Sequence, residues 1–101
     1  MDAQAIEFNR GELIDLPWAV TASQYPNATT FGWKLQALDD DGAVEFEKTG
    51  TATVADLEFV TALTESNTLT FSVGEFPFTL WDTTNKRQLA FGSMIVGPAQ
   101  S

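Results

Sequence analysis

The chain has no cysteine and no histidine among its 101 residues. Disulfide stapling, Cys/His zinc sites, cysteine nucleophiles and the histidine base of serine triads are thereby excluded. Basic residues are scarce: five lysines and arginines stand against 14 aspartates and glutamates, for a formal charge of −9. Binding through nucleic-acid phosphates needs the opposite sign, and an anionic membrane surface would repel such a chain, so neither partner is expected. No stretch approaches the roughly 20 apolar residues of a membrane helix. Met1 to Glu7 lacks the basic region and apolar run of a secretory signal. Without that signal, the glycosylation pattern at Asn27-Ala28-Thr29 reads as chance. The lack of cysteine fits a reducing cell interior. There is no phosphate-cradling glycine loop and no nucleophile elbow, so no cofactor is expected.

What the chain does have is apolar and aromatic residues at alternating spacing. Eight phenylalanines, three tryptophans and one tyrosine bring the hydrophobic fraction to 44%. That suffices for one autonomous core, and the length suits a single domain over residues 1–101. Residues 1–5 read as a loose arm or a short edge strand, and Ile6–Phe8 as a first short strand before an Arg10-Gly11 turn. Ile14, Leu16, Trp18, Val20 and Ala22 then share one face of a strand that Pro17 places at an edge or a bulge. Ser23–Thr30 is a turn-rich connection around Tyr25-Pro26-Asn27. Phe31, Trp33, Leu35 and Ala37 line a second strong strand, with Gly32, Lys34 and Gln36 opposite.

Asp39-Asp40-Asp41-Gly42 ends that strand in a hairpin signal. The return strand reads as Ala43–Lys48, with Val44 and Phe46 inward and Glu45 and Glu47 outward, before a break or bulge at Thr49-Gly50-Thr51. Thr53–Leu63 is β-prone, with Leu57 and Phe59 on one face. Leu63–Gly74 is open to two readings: Thr68–Val73 alternates like a strand, while Thr64 is placed to cap a short helix. Phe76, Phe78 and Leu80 alternate inward, with Pro77 again arguing for an edge or bulge. Asp82–Lys86 supplies a turn, and Leu89, Phe91 and Ile95 carry the last strand, whose other face holds Met94 and Val96. Short strands at this spacing predict an all-β Greek-key sandwich or a small barrel.

Candidate chemistry is sparse. Asp39-Asp40-Asp41 offers oxygen ligands to calcium, yet it fails the EF-hand spacing and reads as a hairpin turn. Glu45 and Glu47 on one face pose as a glycosidase carboxylate pair, against the commoner reading as a solvated acidic face. Lys86-Arg87, the one adjacent basic pair, lies in a hairpin tip and offers a contact to an acidic patch. Trp81 points away from Phe76, Phe78 and Leu80, as an interface anchor or as part of a second buried face. With Met94 and Val96 on the outer side of the last strand, the candidate interface is Trp81, Lys86, Arg87, Met94 and Val96.

Four landmarks occur in an order that carries a resemblance. They are Arg10-Gly11-Glu12; Phe31-Gly32-Trp33-Lys34-Leu35-Gln36 followed by Asp41-Gly42; Leu63-Thr64, Thr68 and Gly74 followed by Phe76, Phe78 and Leu80; and Gly92-Ser93-Met94-Ile95-Val96. Over residues 6–97 the chain resembles the immunoglobulin-like domain of tailed-phage structural proteins, typified by the N-terminal domain of the baseplate upper protein. Phe76 and Phe78 stand where that family has tyrosines, and Pro77 interrupts them. The resemblance implies an immunoglobulin-like sandwich of about seven short antiparallel strands with a short helix at 64–70. It also implies a non-enzymatic virion component of head, tail or baseplate, made in the host cytoplasm and docked on other virion proteins and on copies of itself. A carbohydrate- or host-surface-binding module, with Trp81 or Tyr25 stacking on sugar, is the alternative expectation.

Overall fold

The computed structural model describes residues 3–99. Alternating burial builds seven strands: β1 (Gln4–Asn9), β2 (Ile14–Ala19), β3 (Thr30–Leu38), β4 (Val44–Thr53), β5 (Glu58–Leu63), β6 (Gly74–Asp82) and β7 (Arg87–Gly97). A single helix, α1 (Glu65–Thr70), precedes β6. The strands form a five-stranded sheet in the order β1-β7-β6-β3-β4 and a two-stranded sheet, β2-β5. The inward faces of the two sheets share one core. Leu16, Trp18, Phe31, Trp33, Leu35, Phe76, Phe78 and Leu80 all belong to it, and Ile14 and Val20 pack against it half-buried. The architecture is therefore all-β, with two packed sheets.

Several strands depart from the sequence reading, each for a physical reason. Of the two readings of residues 1–5, Gln4 and Ala5 take the edge strand and open β1, while residues 1 and 2 lie outside the described residues. β1 runs parallel to β7, not antiparallel. The pairing starts at Gly92, where an added Cβ would collide with the Gln4 backbone. Only a residue without a side chain admits that approach. Strand β2 stops at Ala19, and Ala22 is exposed in a turn closed by Tyr25 N–H donating to the Thr21 carbonyl. β4 passes through Thr49-Gly50-Thr51 without a break, opposite Lys34, Trp33 and Gly32. Gly50 is required there by packing: its added Cβ would meet Trp33 Cζ2 at 2.7 Å.

The irregularity in this hairpin falls earlier. Phe46 pairs with Ala37 but Val44 pairs with Leu38, so Glu45 is an extra residue. That bulge turns Val44 out to 54% exposure and separates Glu45 from Glu47. Glu45 accepts from Ser72 N–H, while Glu47 accepts from Gln36. The two carboxylates thus serve separate partners and do not form the glycosidase-type pair.

A second bulge inverts β7. Leu80 pairs with Ala90 and Trp81 with Gln88, which leaves Leu89 without an opposite. Ala90, Met94 and Val96 consequently face the core, and Ile95 is exposed. The arrangement matches large to small: Phe78 and Leu80 stand opposite Gly92 and Ala90. Pro77 sits within β6, an interior strand, but β3 pairs with β6 only from Phe78 onward. Pro77 is therefore flanked by β7 alone.

Leu57, read as a strand residue, lies in a two-residue turn with Asp56, both at positive φ (54° and 59°). Ala55 and Glu58 exchange backbone hydrogen bonds across it. A left-handed leucine is strained, and this one is 38% exposed. Leu57→Gly is expected to raise stability by about 1 kcal/mol, read as a higher urea midpoint at unchanged slope. The ambiguous segment resolves as helix. The Thr64 hydroxyl accepts from Asn67 N–H, the Asn67 side chain accepts from Thr64 N–H, and Phe71 ends the helix.

Candidate functional site

The outward face of the five-stranded sheet gathers the most distinctive exposed side chains. β6 presents Trp81, 39% exposed, because Leu80 and Asp82 on either side of it are buried. Lys34 stands directly opposite Trp81 on β3, and Gln36 opposite Thr79. These four residues line a shallow depression. Phe91 pairs with Thr79 from the other side and is half-buried, and Pro77 and Ile95 extend the same face.

The electrostatics of this face differ from those of the whole chain. Lys34 Nζ lies 3.1 Å from Glu47 Oε1, and Gln36 Nε2 donates to the same oxygen at 2.9 Å. The hydrogen bonds from Lys34 and then Gln36 lower the Glu47 pKa below its ordinary value. The pair is exposed, so its worth to stability is small. It nevertheless leaves the middle of the face close to neutral on a chain of net charge −9.

Next to Trp81, Asp82 is fully buried. Its carboxylate accepts from the Tyr25 hydroxyl, from Thr84 N–H, and from both the backbone and side chain of Asn85. Burial pushes the Asp82 pKa up, but these hydrogen bonds outweigh it and hold the carboxyl below its usual value. Tyr25 is pushed up to about 12, by burial first and then by its hydrogen bond to Asp82. The cluster ties the loop before β3 to the β6–β7 turn, which Thr83 N–H also anchors on the Gly32 carbonyl.

The interface residues expected from sequence do not stay together. Trp81 is exposed, but Met94 and Val96 are 0% and 2% exposed and present no surface. Their outward assignment is corrected by the Leu89 bulge, and Ile95 takes the outer position. Lys86 and Arg87 are at the hairpin end as read, yet they diverge. Lys86 is exposed at φ 55°, whereas the Arg87 guanidinium lies 5.5 Å from the Tyr25 ring. Tyr25 itself is 2% exposed and cannot stack on a sugar. Lys34, Gln36 and Thr79 were not singled out from sequence. The signal was present, since Lys34 and Gln36 alternate with core residues just as Trp81 does.

At the hairpin, Asp39 Oδ1 accepts from Asp41 N–H and Ala43 N–H, both at 2.9 Å, so this carboxylate serves the turn. Among the described residues, no group of three or more Asp and Glu side chains is arranged to hold a metal ion. Millimolar calcium is expected to leave the melting temperature unchanged; a concentration-dependent rise, as ligand linkage demands, would contradict this assignment.

A second apolar concentration lies at the α1 end, where Leu13, Val44, Leu69 and Val73 are all exposed. Arg10 donates to the Leu69 carbonyl and Thr68 to the Glu12 carbonyl, so the Arg10-Gly11-Glu12 turn is fastened to the helix. Among the described residues, no helix is long and apolar enough to cross a membrane. No family model matches the chain, and no curated protein or solved structure matches it either.

Proposed function

We propose that this chain is a non-enzymatic structural protein of a tailed-phage virion, an immunoglobulin-like sandwich that works by docking on other virion proteins. The observation that carries the docking is the outward face around Trp81. It carries an exposed tryptophan over a shallow depression whose one ion pair, Lys34–Glu47, leaves its middle close to neutral on a strongly acidic chain. Exposed apolar surface with a polar rim commonly marks an interaction site, and tryptophan is enriched among interface anchors.

The strand order supports the immunoglobulin-like part of the reading. β7-β6-β3-β4 follows the G-F-C-C′ order of a variable-type sheet, and β2-β5 the B-E pairing of the facing sheet. The phage part rests on the sequence landmarks. Arg10-Gly11-Glu12 and Leu63-Thr64 come together at α1, which gives those short motifs a common structural purpose. Many identical weak contacts on a symmetric lattice sum to a strong hold. The sugar-binding alternative keeps only Trp81, flanked by Lys34 and Gln36, because Tyr25 is buried.

Mass analysis of purified virions tests the assignment. The expected result is the chain in a fixed, repeated stoichiometry that survives washing. A chain abundant in the infected cell but missing from washed particles would refute it.

A further inference from the structure

The two sheets have four edge strands, β1, β4, β2 and β5. Natural sheets guard such edges with charges, prolines, bulges or short length, because unpaired backbone groups recruit other strands. Three of the four edges are guarded here. β1 is six residues long and carries Glu7. β2 carries Asp15 and Pro17. β5 carries Glu58, and its Ala62 carbonyl is occupied by Lys48 Nζ at 2.7 Å.

β4 is ten residues long and is guarded over only half its length. Its first half holds the Glu45 bulge and Lys48, whose ammonium also binds Asn67. Its second half, Thr49-Gly50-Thr51-Ala52-Thr53, has no charge, no proline and no bulge. Thr49, Thr51 and Thr53 are exposed. Gly50 and Ala52 alternate with them and have too little side chain to close the flank between β4 and β5. A shallow cleft lies open there beside Ala52, Phe59 and Val60, with Asp56 and Glu58 at its far end.

We infer that two copies of this chain pair antiparallel along β4, edge to edge through Thr49–Thr53, joining two five-stranded sheets into one. This rests on the docking between copies that the family resemblance implies, but on a surface separate from Trp81. A twofold axis at Thr51 sets Thr49 against Thr53 and Gly50 against Ala52. Every such pair is small and uncharged, so the segment is complementary to itself. The flanking charges leave the segment itself clear: Lys48 is turned toward β5, Lys34 opposite Thr49 is paired with Glu47, and Asp56 and Glu58 lie beyond Thr53. Two chains of charge −9 repel each other, so screening by salt strengthens the pairing.

The test is sedimentation of the purified chain across concentration at low and high salt, with hydrogen exchange of the β4 amides at each concentration. The expected result is a salt-strengthened dimer with concentration-dependent protection confined to residues 49–53. Thr51→Lys places like charges across the axis and is expected to weaken the dimer more than about tenfold, while Trp81→Ser leaves it intact. Should Thr51→Lys melt early, Thr53→Lys makes the same test at the end of the strand. A wild type that stays monomeric overturns the inference. So does a dimer that survives both lysine variants, or one abolished by Trp81→Ser. None of these outcomes bears on whether the chain docks on virion particles, which is read separately.

Discussion

Replacing Trp33 with alanine is expected to lower stability by about 3–5 kcal/mol, the usual cost of truncating a large buried aromatic. The reason lies in its cross-strand partner. Trp33 is 4% exposed and faces Gly50, whose missing side chain the indole covers. The site has nothing opposite with which to collapse, which places the loss toward the upper end of the range. Trp33 Nε1 is also buried without a hydrogen-bond partner, so Trp33→Phe removes an unsatisfied donor and should cost less than alanine. Gly50→Ala alone should destabilise through its clash with Trp33, yet add little on top of Trp33→Ala. Denaturant unfolding of the two single variants and the double variant checks that non-additivity.

Asp82→Ala is expected to cost about 3 kcal/mol. It strips the acceptor from the Tyr25 hydroxyl and from three donors of the β6–β7 turn. Its effect is also dependent on pH. The Tyr25 pKa is raised from 10.0 to about 12. The neutral phenol therefore stabilises the fold fully below pH 10 and loses that contribution as pH climbs to about 12. A shift of this size corresponds to roughly 3 kcal/mol. Asp82, with its lowered pKa, contributes above the ordinary carboxylate value and loses that as the pH falls through its folded value. Melting curves across pH should show the alkaline loss in the wild type and a much smaller one in Tyr25→Phe.

Local chemistry made much of the fold legible. Phe31, Trp33, Leu35 and Ala37 alternate without ambiguity, and the Asp39–Gly42 turn carries its own signal, so β3 and the turn after it could be read directly. What the sequence hid depended on long-range register. β7 is apolar on both faces, and only the unpaired Leu89 decides that Met94 and Val96 turn inward. The Glu45 bulge likewise decides that Val44 turns outward. Tyr25 stands in a polar loop, and its partner Asp82 is 57 residues away, so its burial left no local trace. α1 was half visible: Thr64 was recognised as a cap, but the reciprocal bond from Asn67 settles helix over strand. In the candidate site, Trp81 was legible from alternation within β6. Its neighbours Lys34 and Gln36 required the β3–β6 register.

The proposed docking of the Trp81 face on a virion surface is open to direct measurement. The most direct measurement is cosedimentation of the purified chain with phage particles lacking it, comparing wild type, Trp81→Ser and the core-neutral Lys86→Ala. Saturable binding of the wild type is expected, retained by Lys86→Ala and lost in Trp81→Ser, with all three chains equally folded. Wild-type chain that stays in the supernatant with heads, tails and baseplates alike would contradict it, as would binding that is indifferent to Trp81.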